Sequence, residues 1–573
     1  MLLLSLTHPV SPQQNPPPVT DAPPQILLEP IRSYHHRTKH HLHRYAAGPG
    51  YLDWATQPDP FRRYEGAPQV PLPLPAEPEP SEPPAWDALF THPPAPCPLD
   101  LAWVSRFLYD SVALSAWKAA GSSRWSLRVN PSSGDLHPTE TYLVLPPLAG
   151  LSERPAVWHY EVYGHALERR LILPPAVWEA LEPARPADGF WVGLTSIAWR
   201  EAWKYGERAW RYCQLDAGHA WAALALSARV AGWRTARVHG LGEAGLARLL
   251  GVHRQQGPEA ERPELLLAVS PQLGEAPRLP LADSVVTLLE QAPWEGEPNR
   301  LSAAHRAWPV LDTVAEAAAD PGTLQVEALE ACLGPSRRWP WPTRPVGARH
   351  LIRRRRSAVA MDGRSHLARQ DFLRILARLV PAHDPLLAEA PGWPPQVALL
   401  LFVHRISGLA PGLYALPRSE KLEAALPAAL RSDYAWAPVD TPAEGAHLFR
   451  LETGDAREVA RILACHQDIA ADGAFAVAML ADFQSLEDHG PAWYPRLYQE
   501  CGILGQLLYL EAEAAGLRGT GIGCFFDDAL HQLVGLAPHG RWQDLYHFTV
   551  GGAVEDPRIR TLPAYAHRLE DLP

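Results

Sequence analysis

The sequence predicts an α+β fold built from two similar units in tandem, and three observations predict it. Two long helices, apolar nearly all round, share one pattern: Asp216-Ala-Gly218 with Gly232 fourteen residues on, and Glu500-Cys-Gly502 with Gly516 fourteen residues on. Helices without a polar face belong in a core, and a glycine just past the last turn suits a helix C-cap. Strand-like runs precede each helix: Trp158–Tyr163 with Arg170–Leu173 in the first unit, Val397–Val403 with Gly408–Leu416 in the second. A short amphipathic helix (Glu243–Gly251, Asp528–Gly535) and a closing strand (Glu264–Val269, Leu545–Gly552) follow each one. Helices segregated from a short sheet define the α+β class.

Proline divides the chain. Residues 1–30 are Pro-rich and predict a disordered or extended arm. Residues 31–290 hold the first unit, with a Pro-rich crossing at 70–97 expected to wrap a surface as polyproline II. Residues 291–345 read as a linker, 346–565 hold the second unit, and 566–573 form a tail. A net charge of −11 without a basic stripe gives no footprint for nucleic acid. The 6 cysteines are scattered, without CxxC or Cys/His spacing, which predicts neither a disulfide scaffold nor a zinc site. His35, His36, His40, His41 and His43 include a pair four apart, but no carboxylate or cysteine accompanies them, so no metal site is expected. No apolar run approaches the ~18 residues needed to cross a bilayer. Met1–Leu6 lacks a cationic lead, and the expectation is a cytoplasmic protein.

Five segments carry candidate chemistry. Asn130-Pro131-Ser132-Ser133-Gly134 is a tight turn with two hydroxyls, suited to close approach to a flat polar ligand. Arg353-Arg354-Arg355-Arg356-Ser357 offers guanidinium forks and a hydroxyl, matching the geometry of a phosphate monoester. Pro557-Arg558-Ile559-Arg560 adds cations after the last strand. Gly519-Thr-Gly521-Ile-Gly523-Cys524 follows the second long helix, where glycines let backbone amides come near a ligand. Trp203-Lys204-Tyr205-Gly206-Glu207-Arg208-Ala209-Trp210-Arg211-Tyr212 leads into the first long helix and holds an amine beside a phenol.

These segments resemble the nitroreductase flavoprotein superfamily, most closely its SagB-type azoline dehydrogenases. The 130–134 turn looks like the family's Pro-Ser-Ala-Gly loop, and Arg355-Arg356-Ser357 looks like the Arg-Arg-Ser start of its domains, although Val359 stands where a further basic residue falls. The resemblance implies a nitroreductase-like FMN fold in which the tandem domains form a pseudo-dimer within one chain, as a monomer. It implies that Pro131, Ser132, Ser133, Gly134, Arg355, Arg356, Ser357, Gly523, Cys524, Arg558 and Arg560 bind FMN, and that Lys204 and Tyr205 are catalytic.

The motifs are unevenly shared. The second half has the Arg-Arg-Ser start and the Gly-rich stretch but no Pro-Ser-x-Gly loop; the first half has that loop, and only one glycine in Arg234–Gly240. This partition predicts one composite FMN site and a dead mirror site. Three functions follow from the resemblance: dehydrogenation of a heterocycle in a small molecule or modified peptide; reduction of nitro compounds, quinones or enones by NAD(P)H bound transiently over the flavin; or a non-catalytic module that binds FMN or a partner as a scaffold.

Overall fold

The computed structural model describes residues 24–273, 278–323, 338–384, 386–387 and 391–568. In the first half lie α1 (Pro24–Arg37), β1 (Gln69–Pro71), β2 (Leu114–Ala120), β3 (Ser123–Arg128), β4 (Thr139–Leu145), β5 (Ala156–Glu161), β6 (Ala166–Ile172), β7 (Phe190–Ser196), α2 (Ala198–Tyr205), α3 (Ala209–Val230), β8 (Arg234–Arg237) and β9 (Arg262–Ser270). In the second lie α4 (Ala348–Arg354), β10 (Val397–Val403), β11 (Gly412–Leu416), β12 (Ala437–Val439), β13 (Leu448–Thr453), α5 (Arg457–Leu463), β14 (Phe475–Asp482), α6 (Tyr494–Ala514), β15 (Arg518–Ile522), β16 (Trp542–Gly551) and β17 (Arg560–Leu562).

Two seven-stranded sheets result, with orders β1-β6-β5-β4-β7-β9-β8 and β12-β13-β11-β10-β14-β16-β15. Every pair in them is antiparallel. Six strands follow one chain order in both sheets, and the long helix falls at the same place, before the far edge strand. The seventh, an edge strand, comes from a different part of the chain in each: β1 precedes the others, whereas β12 lies within them.

The long helices α3 and α6 are buried along nearly their whole length and pack on each other. α3 is rich in alanine, the strongest helix former. Each ends in paired bonds around a glycine: Gly232 N–H donates to Arg229 and Trp233 N–H to Ala228, while Gly516 donates to Glu513 and Leu517 to Ala512. Asp216 and Glu500, expected at the helix starts, lie inside: the helices begin at Ala209 and Tyr494. The glycine after each acid marks the crossing. A Cβ on Gly218 would sit 2.2 Å from the Gln499 carbonyl oxygen, and one on Gly502 would sit 2.2 Å from that of Leu215. Only hydrogen at these positions permits so close an approach. The main hydrophobic core runs through the crossing, from Trp221 and Leu224 to Leu504 and Leu508.

Both ends of the described chain cross over. Residues 24–30, expected within an extended arm, instead open α1, whose Leu28, Ile31 and Tyr34 are buried on one face; residues 1–23 lie outside the described residues. α1 packs on the second half: His35 bonds Tyr494 and Gln543, Arg32 pairs with Glu487, and the following Lys39 bonds Asp528 at 2.7 Å. In return β17 pairs with β2, and the Tyr565 hydroxyl donates to the Val162 carbonyl. Of the tail, 566–568 form one turn on the first half, where His567 meets the Tyr163 carbonyl; 569–573 lie outside the described residues. The 70–97 crossing goes deeper than a surface wrap. Trp86 and Leu89 are wholly buried, and the Trp86 indole donates to Glu511 of α6. The linker carries a helix at Pro309–Ala317, and its 324–337 stretch lies outside the described residues.

Candidate functional site

The turn after β3 runs Asn130–Gly134 into a single 3-10 turn, Ser133–Asp135. Gly134 takes φ +64, the left-handed conformation glycine adopts freely. A Cβ there would lie 2.6 Å from Tyr205 Oη and 2.8 Å from Lys204 Nζ. The turn therefore sits directly on the ends of the Lys204 and Tyr205 side chains, which α2 presents together. Asp216 of α3 holds the turn from beneath, accepting from Ser133 N at 3.3 Å. Glu500, at the matching place in α6, holds the Gln396 and Val397 amides at the start of β10. There Arg418 pairs with the carboxylate.

Asp216 has acids for neighbours instead. Burial, with the negative charge of Asp135 nearby, pushes its carboxyl up to about 7. Glu201 beside it is raised well above the carboxylate range by burial and then by Asp216, and Asp135 is raised to about 6 by burial. A carboxyl titrating near neutrality suits proton exchange. Tyr205 is shifted the other way from what a phenolate base needs: burial, then the negative charge of Glu201, raises its hydroxyl well above its ordinary value. The acids around Tyr205 leave its phenol as a donor.

The second half reaches this turn through Arg355. Its Nε donates to the Val129 carbonyl at 3.1 Å and its Nη2 to that of Arg128 at 3.2 Å, while Nη1 is buried without a partner. Ser357 Oγ lies 2.9 Å from Tyr509 Oη, and that hydroxyl also receives the Gly521 N–H at 2.9 Å. Arg356 donates to the carbonyls of Arg353, Arg355 and Ser115 at 2.6–2.9 Å. Burial and the cations Arg355, Arg353 and Arg518 push its guanidinium down to about 9. Lys118 of β2 is lowered by burial and by the same Arg356 and Arg518. Glu513 is the carboxylate set among Arg354, Arg355 and Arg518. Several cations around one acid, Arg355 buried and Arg356, Arg518 and Lys118 half-buried, with an orphaned guanidinium nitrogen, fit an anion such as a phosphate monoester.

Two expectations change here. Gly519-Thr-Gly521, expected to offer free backbone amides, lies in β15 at the sheet edge, paired with β16, and the chain turns away only at Gly523 and Cys524. Arg558 is not brought to the cation cluster. Its side chain is 86% exposed and pairs with Asp556, two residues before it, at 2.7 Å. Arg560 stands in β17 opposite Ala119, next to Lys118, with its side chain exposed. Arg518 and Lys118 are the cations that sequence reasoning missed. Neither lies in a motif, and only the fold brings the charges of β2 and β15 near Arg356.

The segment after Lys204-Tyr205 ties the halves together. Arg208 and Arg211 both reach Asp527, at 3.2 and 2.8 Å. The Gly523 carbonyl accepts from Arg208 and from the Tyr212 hydroxyl, each at 3.1 Å. Beside β8, where the mirror site would fall, a cavity of about 90 Å³ is lined by Ser196, Gln214, Arg237, Glu264 and Gln499. Arg237 occupies the edge-strand end there, bonding Gln499 at 3.2 Å. Among the described residues no three His, Cys, Asp or Glu side chains group as a metal site, and no helix is long and apolar enough to cross a membrane.

The architecture is a nitroreductase-like fold. A putative nitroreductase from Anabaena variabilis superposes with a TM-score of 0.61 at 21% identity, over 92% of this chain and 99% of that one. Residues 414–552 match the nitroreductase family. A putative nitroreductase from Ralstonia eutropha covers 41% of this chain and 94% of its own, at 14% identity and a TM-score of 0.28. The Escherichia coli microcin synthetase McbBCD complex with truncated pro-MccB17 covers 32% of this chain and 67% of its own, at 17% identity and a TM-score of 0.25. No curated protein matches the chain.

Proposed function

We propose that the chain is an FMN-dependent oxidoreductase whose two halves are copies of one domain and together build a single cofactor site, and that it dehydrogenates a heterocycle of the azoline class in a small molecule or modified peptide. The observation that carries the reading is the meeting of Gly134, Lys204 and Tyr205 of the first half with Arg355 of the second around one turn. Arg355, Arg356, Arg518, Lys118 and Ser357 would hold the phosphate. Ser132, Ser133, Gly134 and the Gly523–Cys524 turn would flank the ring. FMN, when bound, accepts a hydride and its electron pair.

The chain's own residues manage the proton that leaves the substrate carbon. Tyr205 stays a neutral phenol and orients the substrate by donating. Lys204 stands at the same glycine to take the proton, and Asp216, pushed up to about 7, holds the turn through Ser133. The mirror position has lost its glycines to Arg234–Arg237, so one cofactor per chain is expected.

The test is FMN loading followed by reduction. Stoichiometry should be close to one per chain. Lys204→Ala and Tyr205→Phe should retain FMN yet lose roughly 10²–10⁴ in flavin reduction by a thiazoline substrate. Reduction by NAD(P)H, which releases no proton from carbon, should survive both substitutions. Wild-type chain inert to azolines but reducing nitroaromatics with NAD(P)H overturns the dehydrogenase reading in favour of a reductase. Failure to bind FMN overturns the enzyme reading in favour of a scaffold.

A further inference from the structure

Cys465 and Cys524 are 59 residues apart in sequence, yet their Sγ atoms lie 2.7 Å apart. Neither falls in a spacing that suggested a partner. The fold brings them together through the end of α5. The chain leaves that helix at Cys465 and His466 with φ of +53 and +59, two consecutive left-handed residues that are not glycine. Such backbone is uncommon and persists where its surroundings impose it. Here the Phe526 N–H donates to the Leu463 carbonyl at 2.8 Å, and Gln467 Nε2 donates to the Cys524 carbonyl at 3.1 Å. The two turns are laced together with both sulfurs between them.

The pair is reachable. Both thiols are partly exposed, whereas Cys213 and Cys501 are buried in α3 and α6. The two are also unlike each other. The Cys465 thiol beside it holds Cys524 below the ordinary thiol range, helped by Arg208 against burial; the same contact, with burial, pushes Cys465 up. One sulfur is the better nucleophile, and the other is within reach of whatever the first one binds.

We propose that Cys465 and Cys524 form a reversible thiol–disulfide site that reacts with small disulfides, Cys524 attacking and Cys465 resolving. The Cys524 thiolate displaces one thiolate from the small disulfide and forms a mixed disulfide. Cys465, giving up its proton, then attacks Cys524 Sγ and displaces the second thiolate. Two protein thiols are oxidised, one small disulfide is reduced to two thiols, and the chain loses two hydrogens. The new bond would pin the turn bearing Gly523, whose carbonyl Tyr212 and Arg208 hold, to the end of α5. The exchange itself needs no cofactor, although Cys524 belongs to the turn proposed above to flank the flavin ring.

The experiment uses the full chain, reduced, desalted without oxygen and treated with glutathione disulfide. Intact mass should fall by two hydrogens. Peptide mapping should join residue 465 to residue 524, and dithiothreitol should reverse both changes. In Cys465→Ser a glutathione adduct should accumulate on Cys524, roughly tenfold or more faster than on Cys97, whose thiol burial raises. In Cys524→Ser, Cys465 should stay free over the same time. Wild-type chain in which both remain thiols as long as Cys213 and Cys501 do overturns the proposal without reliance on any variant. An adduct forming equally on Cys465 in Cys524→Ser overturns the assignment of roles.

Discussion

Replacing Arg356 with alanine is the sharpest probe of the anion site, because its two consequences have opposite signs. In the free protein the guanidinium donates to three carbonyls, and those bonds are lost. The same substitution removes a half-buried cation that burial, and then Arg355, Arg353 and Arg518, push down to about 9. The melting temperature should therefore change little. With FMN present nothing offsets the loss. A charge-assisted hydrogen bond contributes about 1.5–3 kcal/mol, and at about 1.4 kcal/mol per decade the dissociation constant should rise roughly 10- to 150-fold. Quenching of FMN fluorescence on titration with apoprotein measures it. Arg518→Ala should weaken binding in the same direction. Arg364→Ala and Arg558→Ala should not, the first lying outside the cluster and the second paired with Asp556 at the surface. Equal weakening at Arg356 and Arg558 would refute the argument, since it would mean that only general charge matters. An unchanged constant in Arg356→Ala would refute it from the other side.

Two further predictions concern the turn on the first half. Gly134→Ala should melt only a few degrees lower, as a left-handed alanine costs about 1–2 kcal/mol, but it should impair azoline-driven flavin reduction by displacing Lys204 and Tyr205. Gly121→Ala, with φ +57 and nothing within 4 Å of the added Cβ, carries the backbone cost alone and should leave reduction intact; identical behaviour of the two variants would sink the contact. Asp216 governs pH dependence. Its carboxyl is raised from 3.8 to about 7 on folding, so the stability it confers is complete below about 4 and is lost as pH rises through 7. At about 1.4 kcal/mol per unit the loss is at most about 4 kcal/mol, and urea titrations of Asp216→Asn should show a flatter profile across that window.

What the sequence reveals here is mostly local. The periodicity of the long helices, the glycines that end them and the runs of strand residues each lie within one segment, and they carry the α+β class. The Asp-x-Gly and Glu-x-Gly patterns were visible, but their meaning was not. Gly218 and Gly502 look like helix starts until the partner backbone stands 2.2 Å from where a Cβ would be. Around the candidate site, the contact of Gly134 with Lys204 and Tyr205 joins motifs quoted separately, because each is short and chemically pointed. Arg518 and Lys118 carry no local signal, since single cations acquire meaning only from the company the fold gives them. Arg558 misleads for the converse reason: Asp556, two residues away, is a partner closer than any ligand. The charge state of Tyr205 likewise depends on Glu201 and Asp216, whose side chains the helices of the first half bring to it.

The crossed arms have a consequence for how the two halves stay together. α1 bonds the second half as well as its own, and the stretch from Arg560 to Arg568 lies on the first. Two separate chains in this arrangement would part on dilution, because their association depends on concentration. Here each arm is tethered to the surface it covers, and its local concentration is set by the length of chain between them. Dilution leaves the embrace untouched, and a chain cut back to residues 31–290 or 346–565 would carry away part of the other half's coat.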